Sequence, residues 1–282
     1  MVENRPFLTW LAHFVMIVGV VIMAFPVWMT FVASTHDQAT MLQSPVPLLP
    51  GTHLIENYKR ILTQGYGTIG ATPVTVTLLN SLIMALGVAI GKIIISILAA
   101  FAVVYFRFPG RMACFWAIFI TLMLPVEVRI VPTYGVVAAL GMIDSYPGLI
   151  IPLIASATAT FLFRQFFLSV PDELAEAARV DGASPMRFFV DILLPMSRTS
   201  IAAMFVIQFI YGWNQYLWPL LITTRESFYT SVMTVSRQAN VVDNVPSWNL
   251  LMAMAMLTML PPVIVVIFMQ RQFVRGLVET EK

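Results

Sequence analysis

Charged side chains are scarce in this sequence. Asp, Glu, Lys and Arg make up 11% of its 282 residues, against about 25% in soluble domains. Apolar residues fill the gap at 59%, and the mean hydropathy is +0.85. Too little polar surface remains to cover a globule in water, which excludes a soluble enzyme or binding domain. The formal net charge is only +2, so the basic excess that recruits nucleic acid is missing as well. Cys114 is the one cysteine, which excludes an internal disulfide and a cysteine metal cluster. His13, His36 and His53 are scattered without ligand spacing, so no metal site is expected. A phosphate-wrapping loop needs Gly-x4-Gly-Lys-Ser/Thr. The one Gly-Lys pair, Gly91-Lys92, is followed by Ile93 and preceded five back by Leu86. Nor does Gly182-Ala183-Ser184-Pro185-Met186 close as a nucleophile elbow. The chain is expected to bind no cofactor and to catalyse no reaction.

What is present is a set of long apolar runs. A helix needs about 20 mostly apolar residues to cross a bilayer core of about 30 Å. Six stretches qualify: 11–33, 78–106, 112–132, 147–168, 200–223 and 248–270. The first is too long for a signal-peptide core and lacks a small-residue cleavage site, so it reads as a span. The expected fold is all-α and polytopic, with six transmembrane helices and both chain ends on one side. Lys and Arg choose the side. With the N-terminus inside, the cytoplasmic segments hold ten of them (Arg5, Arg107, Arg111, Arg164, Arg179, Arg187, Arg198, Arg271, Arg275, Lys282) and the outer ones five (Lys59, Arg60, Arg129, Arg225, Arg237). The reading is therefore N-in and C-in, with residues 1–10 and 271–282 cytoplasmic and loops 34–77 and 224–247 outside.

Ionisable groups at bilayer depth cost roughly 2.5–3.5 kcal/mol on insertion scales, so each needs a reason. Lys92 lies too deep in the second span to snorkel, beside the small-residue face of Gly87 and Gly91. It either offers charge to an anionic solute such as a phosphate ester or hydrogen-bonds a neighbouring helix. Glu127 and Arg129 sit between Pro125 and Pro132 near the outer end of span three. Their spacing of two does not pair them on one helix face, so Arg129 reads as a contact to solute, binding protein or a partner. Trp213, Asn214 and Gln215 combine an aromatic with amides in span five. Such a set binds polyols, or serves as an interface belt with helix–helix amide bonds.

The cytoplasmic loop 169–199 has a different character. Pro171 suits a first helical position, Asp172 and Glu173 complement the positive end of the helix dipole, and Gly182 supplies a left-handed stop. Ser184 and Pro185 restart a helix that Pro195 closes. Leu174, Ala177 and Ala178 are rimmed by Glu173, Glu176, Arg179 and Asp181. A small-faced, charge-rimmed helix suits docking into another protein's groove; lying on the bilayer surface is the alternative.

Glu176-Ala177-Ala178, three residues, Gly182, nine residues, then Ile192-x-Leu194-Pro195 resembles the EAA loop of permease subunits from bacterial binding-protein-dependent ABC importers. Asp181-Gly182-Ala183 adds to that match, and Arg107-Phe108-Pro109-Gly110-Arg111 and Trp213–Leu220 resemble the carbohydrate branch of that family, which contains maltose-type and sn-glycerol-3-phosphate permeases. The resemblance implies a type I importer permease fold with its transmembrane domain at about 77–270. It implies a second permease subunit, two cytoplasmic ATP-binding subunits that use ATP, a periplasmic substrate-binding protein, and residence in the bacterial inner membrane. Glu176, Ala177, Ala178, Arg179, Asp181 and Gly182 would form the helix seated in an ATPase cleft. The implied solute is sn-glycerol-3-phosphate or a glycerophosphodiester, with a maltose-like sugar or polyol as the alternative. A secondary transporter would need paired ionisable residues in its spans, and a six-span enzyme a deep cluster of nucleophile and base. Neither pattern is present.

Overall fold

The structure is a computed structural model and describes residues 6–66, 72–121, 126–240 and 246–278. Among these residues every regular element is helical. In chain order they are α1 (Pro6–Ser34), α2 (Gln38–Met41), α3 (Leu54–Gln64), α4 (Val74–Tyr105), α5 (Arg111–Ile120), α6 (Val126–Ala139), α7 (Tyr146–Ile150) and α8 (Ala157–Ser169). There follow α9 (Asp172–Val180), α10 (Pro185–Phe188), α11 (Leu194–Met196), α12 (Arg198–Trp213), α13 (Leu217–Ile222), α14 (Ser231–Ala239) and α15 (Trp248–Val278).

Three helical stretches are long and apolar enough to cross a membrane unbroken: Phe7–Ser34, Val74–Tyr105 and Trp248–Gln270. Two bent pairs pass the same test, Tyr146–Leu153 with Ala157–Ser169 at 50° and Pro185–Met196 with Arg198–Trp213 at 74°. With the shorter apolar helices α5 and α6, these elements are compatible with six spans. The sequence reads 112–132 as one helix, whereas the structure puts α5 and α6 there and carries α6 on to Ala139. It likewise reads 147–168 as unbroken. There, a 3-10 turn at Ile151–Leu153 contains Pro152, three non-helical residues follow, and the Ser156 hydroxyl accepts from the Ala159 N–H at 3.3 Å to start α8. A proline that cannot donate and a capping serine both favour a division of the span at this point.

The chain divides into two compact units, Met1–Val76 with Val235–Met259 and Thr77–Thr234 with Leu260–Lys282. In the first, α1 presents apolar side chains to its surroundings from Phe7 to Trp28, as a lipid-facing helix does. Its C-terminal end is held by a buried polar knot. The Asn57 side-chain amide donates to the carbonyls of Ser34 and His36 at 2.9 and 2.7 Å, and Asn249 donates to the Asn57 oxygen at 3.0 Å.

In the second unit the helices approach closely because small residues let them, which is the main source of helix association where lipid is as apolar as the interface. Ile150 packs on Gly87 and Ile154 on Gly91, while Gly212 of α12 lies against the Ala85 backbone. Phe163 and Phe167 of α8, Phe101 of α4, Phe188 at the end of α10 and Phe189 after it gather in one cluster, to which α9 adds Ala178. Within the 169–199 loop, Pro171 proves to be the residue just before α9 rather than its first. Gly182 ends the helix at φ +72°. The Ala183 N–H then donates to the Ala178 carbonyl at 2.9 Å and the Gly182 N–H to Arg179 at 3.1 Å, a Schellman closure. Pro195 does not terminate the second element; it lies inside α11, and the 74° bend at Ser197 turns the chain into α12.

At the α6–α7 corner, Asp144 adopts φ 53° and ties this loop to the one after α13. Its carboxylate accepts from the Thr224 and Arg225 N–H groups at 2.6 and 3.0 Å, with the Arg225 guanidinium at 3.9 Å. Partial burial alone would raise the Asp144 pKa, but these donors outweigh it and hold the carboxyl below its usual value of 3.8. The ionised form therefore adds stability above the ordinary carboxylate pKa and loses it as pH falls through the lowered one. Asp144→Asn is expected to lower the melting temperature of the detergent-solubilised protein at neutral pH. The two proteins should converge as the pH drops toward ~3. Nearby, a Cβ on Gly148 would meet the Met142 carbonyl oxygen at 2.1 Å. Gly148→Ala should therefore cost about 1–3 kcal/mol in the same melting assay.

Candidate functional site

Lys92 sits on α4 about 20 Å along the helix from Tyr105, at roughly 1.5 Å per residue. Its side chain is only 6% exposed. Among the described residues it forms no hydrogen bond or ion pair, and its ammonium lies 3.5 Å from the centre of the Tyr211 ring on α12. A desolvated cation over an aromatic face gains about 2 kcal/mol, comparable to the insertion cost of the charge. The ring thus offsets part of the cost of holding the ammonium at depth.

The space beyond Lys92 is a cavity of about 400 Å³, within the ~300–1,000 Å³ range of small-molecule sites. Lys92, Arg129 of α6, Tyr211, Ser156, Thr158 and Thr160 line it, with Thr121 at the end of α5. A smaller space of about 90 Å³ adjoins it and shares Lys92, Arg129, Ala155 and Tyr211. The Glu127 side chain lies outside the described residues. The cavity floor is the break in span four. There the Ser156 carbonyl accepts from the Ser96 hydroxyl at 3.2 Å, one turn along α4 from Lys92, and from the Thr160 hydroxyl at 2.9 Å. Irregular backbone at this depth is tolerated where it lines a cavity. The first turn of α8 opens there; Ser156 caps its Ala159 N–H at 3.3 Å, and the Ala157 and Thr158 N–H groups have no acceptor within the helix. Two cations, a helix N-terminus and several hydroxyls therefore surround one space, an arrangement suited to an oxyanion.

The structure brings Lys92 and Arg129 together and leaves the other membrane candidates apart. Trp213 is 2% exposed and packs with Ala85, Ala89 and Phe209. Asn214 ends α12, its N–H donating to the Ile210 carbonyl at 3.0 Å. Gln215 donates to the Tyr211 carbonyl at 3.1 Å. None of the three lines the cavity. Conversely, Tyr211, Ser156, Thr158 and Thr160 escape the sequence reading. Their signal was the alternation Ser156-Ala157-Thr158-Ala159-Thr160 inside an apolar run, which places small hydroxyls where a uniform lipid-facing helix needs none.

On α9 the structure divides the sequence-predicted set. Ala178 is buried against the chain's own aromatic cluster, with Leu174 and Ala175 packed beside it. Glu176, Ala177, Arg179 and Asp181 are exposed, as is Gly182, and Val180 is 87% exposed. The inner face anchors the helix and the outer face presents a charged rim around two apolar side chains.

Water access to the cavity is open to a labelling experiment. Cys114 is exposed, so Cys114→Ser supplies the background. In it, Thr158→Cys should react with a membrane-impermeant thiol reagent, whereas Ala89→Cys, in the packed cluster, should not.

Residues 92–279 match the family model described as binding-protein-dependent transport system inner membrane component. Proteins named "sn-glycerol-3-phosphate transport system permease protein UgpE" are similar over the full length of both chains, with 56% identity in Escherichia coli (strain K12) and 55% in Agrobacterium fabrum. The fold is similar to one chain in the crystal structure of a bacterial ABC transporter involved in the import of the acidic polysaccharide alginate. That match has a TM-score of 0.82 at 19% identity and covers 97% of this chain and 99% of the other. The chain belongs to the binding-protein-dependent transport system inner membrane components, the permeases of ABC importers, and is a transport protein rather than an enzyme.

Proposed function

We propose that the chain is the permease subunit through which an ATP-driven importer takes up sn-glycerol-3-phosphate or a closely related glycerophosphodiester. The observation that carries this reading is the full-length similarity, at 55–56% identity, to permeases named for sn-glycerol-3-phosphate. The placing of Lys92 and Arg129 on one cavity supports an anionic solute over a neutral maltose-like sugar, since two like charges facing one space favour an anion between them.

On this reading the chain works with a second permease subunit, two cytoplasmic ATP-binding subunits and a periplasmic substrate-binding protein, all embedded in or docked on the inner membrane. The chain itself binds no cofactor; ATP is bound and hydrolysed by the partner subunits. The excess of Lys and Arg in the segments assigned inside supports N-in and C-in. That orientation puts α9 in the cytoplasm, where its outer face, Glu176, Ala177, Arg179 and Val180, is available to an ATP-binding subunit. The buried inner face would pass the motion of that subunit into α8 and α4 as a packed block.

The two faces of α9 make the test specific. Ala177→Trp adds bulk on the exposed side and should leave the chain folded in the membrane. It should also release the ATP-binding subunits on purification and cut ATP-dependent uptake roughly tenfold or more, as loss of about 1.4 kcal/mol of docking energy requires. Retained assembly and uptake would show that this face does not dock.

A further inference from the structure

The cavity has a feature that membership in the importer family does not supply, namely a set of positive poles converging on one space inside a single subunit. Lys92 approaches from α4, Arg129 from α6, and the first turn of α8 from the break in span four. α8 has 13 residues, long enough for a helix dipole to develop at its N-terminus. The 94% burial implied by the 6% exposure of Lys92 makes its ammonium a strong pole, because little water screens it. Among the described residues no carboxylate lies within ion-pair distance of Lys92 or Arg129. Ser156, Thr158 and Thr160 add hydroxyls along the same wall.

We propose that this cavity is a phosphate station on the translocation path. Lys92, Arg129 and the N-terminal turn of α8 receive the phosphate group of the passing solute, and Tyr211 holds the Lys92 ammonium when the station is empty. The inference rests on the importer reading and deepens it, because it assigns the recognition of charge inside the membrane to this chain. The resting partner explains why a buried lysine does not trap its ligand. The Tyr211 ring offers the ammonium a neutral alternative at 3.5 Å, so the phosphate can leave without stranding a bare charge. The solute's glycerol end meets Thr158 and Thr160 across the same wall.

The same phosphate chemistry could come from a lipid headgroup, so the experiment separates the two sources. The complete importer is purified in dodecyl maltoside and reconstituted in vesicles of phosphatidylcholine alone or with phosphatidylglycerol. Uptake of sn-glycerol-3-phosphate is measured for wild type, Lys92→Arg, Lys92→Gln, Lys92→Met and Arg129→Gln, with co-purification of the partner subunits as the check on folding. The station requires Lys92→Gln and Lys92→Met to lose at least about tenfold in uptake, equivalent to ~1.4 kcal/mol. It also requires Arg129→Gln to lose several-fold and Lys92→Arg to retain most of the rate. In the Cys114→Ser, Thr158→Cys protein, sn-glycerol-3-phosphate must slow thiol labelling and glycerol must not, and Lys92→Met must abolish the protection.

A folded Lys92→Gln complex that transports at the wild-type rate overturns the station while leaving the importer reading intact. So does a Lys92→Gln that transports while Lys92→Arg does not, since that pattern shows that side-chain size rather than positive charge matters there. Labelling that phosphatidylglycerol suppresses and solute leaves unchanged identifies a lipid phosphate and overturns it too. A wild-type complex that imports no glycerol phosphate removes the importer reading for this solute, and the station falls with it.

Discussion

A lysine ammonium held in the middle of a membrane-spanning helix must be solvated by protein or by water, and that requirement organises this molecule. Lys92 lies too far from either end of α4 for its stem to reach the headgroups. The packing around it meets the requirement in two ways. The Tyr211 ring takes one side of the ammonium, and the break in span four opens a polar space on the other. The break is possible because Gly91 admits Ile154 and Gly87 admits Ile150 against α4. It is stable because its exposed carbonyl at Ser156 accepts from Ser96 and Thr160. A hydrophobic driving force is weak between helices in lipid, so these close contacts and hydrogen bonds hold the break open.

The same geometry links the cavity to α9. The first turn of α8 lines the cavity, and the chain leaves its far end through Val170 and Pro171 directly into α9. Phe163 and Phe167 in the middle and end of α8 share one packed cluster with Ala178 of α9 and with Ile93 and Ile97 of α4. Ile93 is the neighbour of Lys92. On the proposed reading, a displacement of α9 would reach the walls of the cavity through these buried contacts, since dense interiors transmit strain rather than absorb it. The Schellman closure at Gly182 and the inward Ala178 keep α9 from rotating freely on this base.

Much of the fold was legible in the sequence because apolar runs and helix punctuation are local signals. α1, α4 and α15 follow from long apolar windows, and the end of α9 follows from Gly182 and Ser184. The interruptions were not legible in the same way. Pro152 and Ser156 look like ordinary residues of a tolerant membrane helix until Gly87 and Gly91 supply the space that makes a break cheaper than a straight span. The site was half legible for a similar reason. Lys92 and Arg129 stand out by charge alone, against an apolar background. Tyr211, Thr158 and Thr160 do not, since aromatic and hydroxyl side chains are common in spans, and only the fold shows that they face Lys92. Trp213 left two readings open in the sequence, a polyol surface or an interface belt with helix contacts, and α12 turns it into the seam against Ala85 and Ala89. On α9, spacing put Ala177 and Ala178 together, but only packing could say that one faces out and the other in.

The central claim is that a phosphate passes between Lys92 and the N-terminal turn of α8. The most direct measurement is an electron cryo-microscopy map of the assembled importer, trapped with sn-glycerol-3-phosphate in transit by a non-hydrolysable ATP analogue. The account predicts solute density in the cavity, its phosphate within hydrogen-bond distance of the Lys92 ammonium and the α8 N-terminus, and the ammonium withdrawn from the Tyr211 ring. Solute held elsewhere in the complex, with Lys92 still resting on Tyr211, would contradict it.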